Sequence, residues 1–141
     1  MITRTATARY EGTGKSGKGW ISTQSGVLAE QRYGFGTRFE NEPGTNPEEL
    51  IAAAHAACFT MALSFALAAQ GINDGTLETT ARVKLDKEGD GFRISRSDLQ
   101  LTAAVPGLAE DRLRELAEGA KANCPVSKLL NAEMTLDVTV R

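Results

Sequence analysis

The spacing of apolar and polar positions changes period several times along this chain, and each change marks an element. Residues 3–10 alternate loosely, with Thr3, Thr5 and Thr7 on one side and Ala6, Ala8 and Tyr10 on the other, which predicts a first strand. The glycine-rich run 12–19 reads as a hairpin loop, and residues 19–23 resume a strand. Residues 27–39 have no clean period. They hold Tyr33, Phe35, Phe39 and Arg38 among glycines, and are expected to form an extended segment or loop that leads through Glu42-Pro43-Gly44-Thr45 into the next element. That element dominates the chain. From Pro47 to Gln70 no charge appears beyond Glu49, and the run is apolar all round. Asn46 is placed to N-cap a helix, Pro47 suits its first position, and Glu49 stands where a capping box would close. Glu48 and Glu49 sit at the positive end of the helix dipole, and Gly71 is the natural stop. The predicted helix is roughly 35 Å long. Such a helix must be covered on every side, by strands or by a second subunit.

Leu77, Thr79, Ala81, Val83 and Leu85 then alternate with polar neighbours, predicting a half-buried strand. A turn at residues 87–91 leads to a second strand with Phe92, Ile94, Leu99 and Leu101, whose change of face predicts a bulge near residues 95–97. Residues 109–121 repeat as an amphipathic helix, Asn123-Cys124-Pro125 breaks it, and a short helix follows over residues 125–131. Met134, Leu136, Val138 and Val140 mark a last strand. The expected class is α+β, one domain over residues 1–141, with antiparallel strands where hairpins join them.

Composition narrows the function. A formal net charge of −2 and a pI near 5.5 leave no electrostatic case for nucleic acid. The long apolar helix has the length of a membrane span. Alanine gains little from lipid, however, His55 and Thr60 are polar, and neither flank is rich in Lys or Arg, so a core helix is expected and no membrane partner. With no signal-like opening, a cytoplasmic protein is expected. The glycine run lacks the spacing of a phosphate loop and has no helix after it.

Cys58 and Cys124 are the only cysteines. In a reducing compartment such a pair is inert packing, a metal pair or a redox couple. Cys58 lies about ten residues into the long helix, beyond the reach of its dipole. Burial alone would raise its pKa, so reactivity requires a cation from elsewhere. Cys124 stands at the N-cap of the short helix. These positions alone do not decide which thiol attacks first. His55, three residues before Cys58, permits a Cys-His nucleophilic pair or two metal ligands, a tetrahedral site that only Cys124 and an acidic residue could complete. The expectation is that His55 packs, bonded to backbone or to a glutamate.

Three stretches carry a resemblance. They are Tyr33-Gly34-Phe35-Gly36-Thr37-Arg38-Phe39-Glu40, the run from Gly44 to Phe59 containing Cys58, and Ala120-Lys121-Ala122-Asn123-Cys124-Pro125-Val126-Ser127. Together they resemble the OsmC family, the osmotically inducible protein C peroxidases. The stretch around Arg38 and the presence of His55 resemble that branch more than the sister organic hydroperoxide resistance proteins. The resemblance implies an OsmC-like fold, with antiparallel strands around a long buried helix, in an intertwined homodimer with active sites at the subunit interface. It implies a thiol peroxidase for organic hydroperoxides that uses no metal, haem or flavin cofactor. By matched position, Cys58 is the peroxidatic cysteine, Cys124 the resolving one, and Glu48 the carboxylate that orients an activating arginine. Arg38 is the choice for that arginine, with Arg9 and Lys15 as fallbacks. The expected reductant is an external dithiol of the lipoyl type or similar. The rival expectation is a non-catalytic binder of small apolar ligands at the dimer interface.

Overall fold

The structure is a computed structural model and describes residues 1–141 throughout. It comprises two compact units, Met1–Leu50 and Ile51–Arg141.

In the first unit, β1 (Ala6–Glu11), β2 (Lys18–Thr23) and β3 (Gln31–Tyr33) form an antiparallel sheet in that order. The glycine run is the β1–β2 connection, as expected, and carries one 3-10 turn, Gly14–Ser16. The segment expected to be extended or loop is instead β3 followed by a short helix, α1 (Phe35–Phe39), which places Arg38 on a helical turn. Side-chain bonding, rather than propensity, makes this helix. The Thr37 hydroxyl accepts from the Gly34 N–H at 2.8 Å and lies 3.1 Å from the Gly34 carbonyl, closing the first turn on itself.

The long helix α2 (Pro47–Ala69) begins in the first unit and runs through the second. Its start is capped by Asn46, whose Oδ1 accepts the Glu49 N–H at 2.8 Å. The capping box does not close: the Glu49 carboxylate accepts from the Thr45 hydroxyl instead, at 2.8 Å. Gly71, with φ at +77°, ends the helix in the left-handed region as expected.

In the second unit, β4 (Thr76–Glu88) and β5 (Gly91–Ala104) form an antiparallel hairpin. Lys84 pairs with Arg96 and Leu85 with Ile94, so Ser95 is the extra residue of the expected bulge. Helices α3 (Glu110–Asn123) and α4 (Pro125–Leu129) then carry the chain across to β6 (Glu133–Val140), which pairs with β5 in parallel. This is a departure from the antiparallel expectation. Parallel neighbours need a crossover, and the two helices provide it.

The core of this unit is a stripe of α2 (Phe59, Leu63 and Leu67) packed with Leu99 and Leu101 of β5, Leu113 and Ala117 of α3, and Val138 of β6. One chain alone covers only one stripe of α2, leaving the rest of the expected cover to a second subunit. Met61 is 61% exposed and Phe65 68%, because only the stripe at every fourth residue meets the sheet and α3.

Candidate active site

Two clusters carry the chemistry, one in each unit. In the first, α1 presents Arg38 to Glu48 in the first turn of α2. Arg38 Nε and Nη2 donate to the two Glu48 carboxylate oxygens at 2.9 and 2.8 Å, a bidentate fork. This hydrogen bonding pushes the guanidinium pKa further up. The Glu48 side chain is only 11% exposed and that of Arg38 is 35% exposed.

Asn46 sets the alignment of this pair. While its Oδ1 caps α2, its Nδ2 donates to the Thr37 carbonyl at 3.0 Å, tying the end of α1 to the start of α2. Gly44 closes the connection. It has φ at +146°, and a Cβ there would collide with the Arg32 carbonyl oxygen. Beside the pair, Tyr10, Tyr33, Phe35, Arg38, Phe39 and Pro47 line an apolar cavity of about 190 Å³. Of the fallback cations, Arg9 is paired with Glu11 and Glu30 and stacks on Trp20, while Lys15 lies 4.8 Å over the Phe35 ring.

In the second unit both cysteines are free thiols, and Cys58 packs against the core cluster that includes Cys124. Cys58 is half-buried on α2. Burial pushes its thiol pKa up, a backbone N–H from Val126 partly opposes this, and the neighbouring Cys124 raises it again. No cation is among these influences. Cys124 is 1% exposed and stands at the joint between α3 and α4. Its sulfur accepts the Ser127 N–H at 3.4 Å, which confirms the expected N-cap position.

His55 packs as expected but with different partners. Its Nδ1 lies 2.6 Å from Ser97 Oγ and its Nε2 2.8 Å from Ser127 Oγ. Burial lowers its pKa, which favours the neutral ring. Ser127 Oγ is also 3.0 Å from Cys124 Sγ, so His55 reaches the second cysteine through a hydroxyl. Ser97, Thr37 and Thr45 carry no sequence signal of such roles. Ser127 does carry one, three residues beyond a capping cysteine. The chain has no group of three or more His, Cys, Asp or Glu residues arranged to hold a metal ion.

Comparison with known proteins identifies the family. The family model described as OsmC-like protein matches residues 39–139. The chain belongs to the OsmC family. It is 53% identical over 134 residues to the peroxiredoxin OsmC of Escherichia coli, covering 95% of this chain and 94% of that protein. It is 30% identical to the organic hydroperoxide resistance protein OhrB of Bacillus subtilis, over 92% of this chain and 94% of that one. The crystal structure of that OhrB superposes with a TM-score of 0.71, covering 99% of this chain and 98% of the other. An organic hydroperoxide resistance protein from Elizabethkingia anophelis, crystallised with thiocyanate, gives 0.72 at 30% identity, over 99% and 96% of the two chains. The OsmC-like fold, with its long helix and antiparallel pairings, is therefore shared across both branches. The apolar helix that could span a membrane by length and composition is the core helix of that fold.

Proposed function

We infer that this chain is a cysteine-based peroxidase that reduces organic hydroperoxides to alcohols with thiol reductants. The observation that carries the reading is that Cys58, partly exposed, packs against the core cluster that holds the buried thiol Cys124, in a chain so similar to a peroxiredoxin. The Cys58 thiolate attacks the terminal peroxide oxygen. The O–O bond breaks, the alcohol leaves with a proton, and Cys58 becomes a sulfenic acid. Cys124 condenses with it, releasing water and forming a Cys58–Cys124 disulfide. A dithiol of the lipoyl type restores both thiols by exchange. The aromatic cavity beside Arg38 favours an alkyl or acyl group over hydrogen peroxide. Consumption of an organic hydroperoxide with a dithiol reductant is expected to exceed that of hydrogen peroxide under the same conditions. Equal or absent turnover of the organic substrate overturns the reading.

The same cavity favours the rival, a non-catalytic binder of apolar ligands. Intact mass distinguishes the two: after one equivalent of hydroperoxide the peroxidase loses two hydrogen atoms to the disulfide, and the binder is unchanged.

We infer further that the working form is an intertwined homodimer, located in the cytoplasm, in which residues 1–141 act as one domain. Two observations support the second copy. None of the buried apolar side chains belongs to residues 1–50, although that unit carries a three-stranded sheet. The outer face of α2, with Met61 and Phe65, is uncovered. A second copy that closes over these surfaces would also bring the Arg38–Glu48 fork to Cys58. Small-angle scattering at micromolar concentration is expected to give the dimer mass, and a stable monomer there would count against the assembly.

A further inference from the structure

Ser97, His55, Ser127 and Cys124 form one buried hydrogen-bonded chain. His55 and Ser97 are 0% exposed, Ser127 5% and Cys124 1%. Its hydrogen bonds are 2.6, 2.8 and 3.0 Å long. Two opposite sets of proton positions satisfy all of them, and the relay uses the one in which protons are donated away from the sulfur. Cys124 S–H donates to Ser127 Oγ, Ser127 O–H donates to His55 Nε2, and His55 Nδ1–H donates to Ser97 Oγ. Every donor in that set points away from the sulfur.

We propose that His55, acting through Ser127, accepts the proton of Cys124 as the Cys58–Cys124 disulfide closes, a role that rests on the peroxidase reading above. A thiol is a poor nucleophile, and Cys124 must lose its proton to attack. Solvent does not reach it. The oxygen on Cys58 is badly placed to take the proton, because displacement at sulfur puts the leaving oxygen opposite the incoming one. The Cys124 sulfur lone pair forms the S–S bond and the Cys58 S–O bond breaks. Cys58 sulfur is reduced from the sulfenic level and Cys124 sulfur is oxidised to the disulfide level. Hydroxide leaves at the half-exposed side of Cys58 and takes a proton from solvent to become water. The Cys124 proton moves to Ser127 Oγ as the Ser127 proton moves to His55 Nε2. The resulting imidazolium then releases a proton to solvent by local opening. Burial favours that release, since it disfavours the charged ring.

Ser127 touches the reacting sulfur, and His55 acts through it as a positioning and accepting residue. The titratable groups around His55 are Cys124, behind Ser127, and Cys58, one turn along its own helix. β5 presents Ser97, and no charged side chain contributes to the shift at His55.

The test separates the two chemical steps. Wild type, Ser127→Ala and His55→Gln each receive one equivalent of an alkyl hydroperoxide, and rapid-quench mass spectrometry follows sulfenic acid and disulfide between pH 6 and 9.5. Sulfenic acid formation is expected to be unchanged in both variants. Disulfide closure at pH 6–7 should slow on the order of 100-fold, the low end of general acid–base effects. The deficit should shrink as pH rises and hydroxide competes with the relay for the thiol proton. Closure within two-fold of wild type at pH 6–7 overturns the relay, and so does a slowing of equal size at every pH, which marks a merely structural role. Ser127→Ala removes one oxygen and carries the test should His55→Gln fail to fold. Wild-type protein that forms neither species overturns the peroxidase reading itself, and the relay with it.

Discussion

Cys58→Ser is expected to abolish hydroperoxide reduction, whereas Cys124→Ser completes one turnover and stops. The difference follows from where the two thiols sit. Cys58 is half-exposed and can meet a substrate, whereas Cys124 is 1% exposed and can meet only what the fold places against it. In Cys124→Ser the sulfenic acid has no second thiol to condense with and persists long enough for a dimedone-type probe to trap it. In Cys58→Ser nothing is oxidised and nothing is trapped. The check is mass spectrometry of both variants after one equivalent of organic hydroperoxide with the probe present. A trapped adduct in Cys58→Ser and none in Cys124→Ser would exchange the two roles.

Arg38→Met is expected to raise the Cys58 thiol pKa, the effect of losing an opposite charge that the proposed second copy brings within reach. It should also slow peroxide reduction on the order of 100-fold through loss of a donor to the breaking O–O bond. Methionine keeps much of the arginine stem's bulk and removes both the charge and the fork. Cys58 needs such a cation because burial and Cys124 both push its thiol pKa up and only the Val126 N–H opposes them. Glu48→Gln should do less, since one amide oxygen still accepts from the guanidinium while the second hydrogen bond is lost. The measurement is the pH dependence of Cys58 alkylation in each variant on a Cys124→Ser background. An unchanged thiolate pKa in Arg38→Met rejects Arg38 and turns attention to Lys15 and Arg9.

The elements that depend on local chemistry were legible in the chain. Asn46-Pro47 announced the start of α2, Cys124-Pro125 the joint between α3 and α4, and the change of apolar face near Ser95 the bulge. What was hidden depends on distance. An alternating pattern over residues 134–140 says that a strand exists, but not that it lies parallel to β5, because pairing direction is set by the crossover. Of the five residues of α1 only Arg38 is a good helix former, and the helix relies on the Thr37 hydroxyl and the Asn46 tether. The periodicity of α2 gave no sign that Met61 and Phe65 would face outward, since a helix apolar all round has no preferred face. The site divided in the same way. Both cysteines and the Arg38–Glu48 pair were readable by matched position, but the bond from His55 to Ser127 spans 72 residues and has no local signature.

Cys124 terminates α3 and also initiates α4, a helix of five residues. So short a helix has little cooperative support of its own and relies on its neighbours to stay wound. The second thiol is therefore tethered to one of the elements most prone to fraying. With Cys124 as the proposed resolving thiol, a Cys58 sulfenic acid would be captured while α4 is wound. Whenever it frays, the same sulfenic acid waits unguarded, and a second peroxide can carry it to the irreversible sulfinic acid. The survival of the protein under a heavy peroxide load would then be limited by the winding of one turn of helix, and heat and oxidant together would inactivate it faster than either alone.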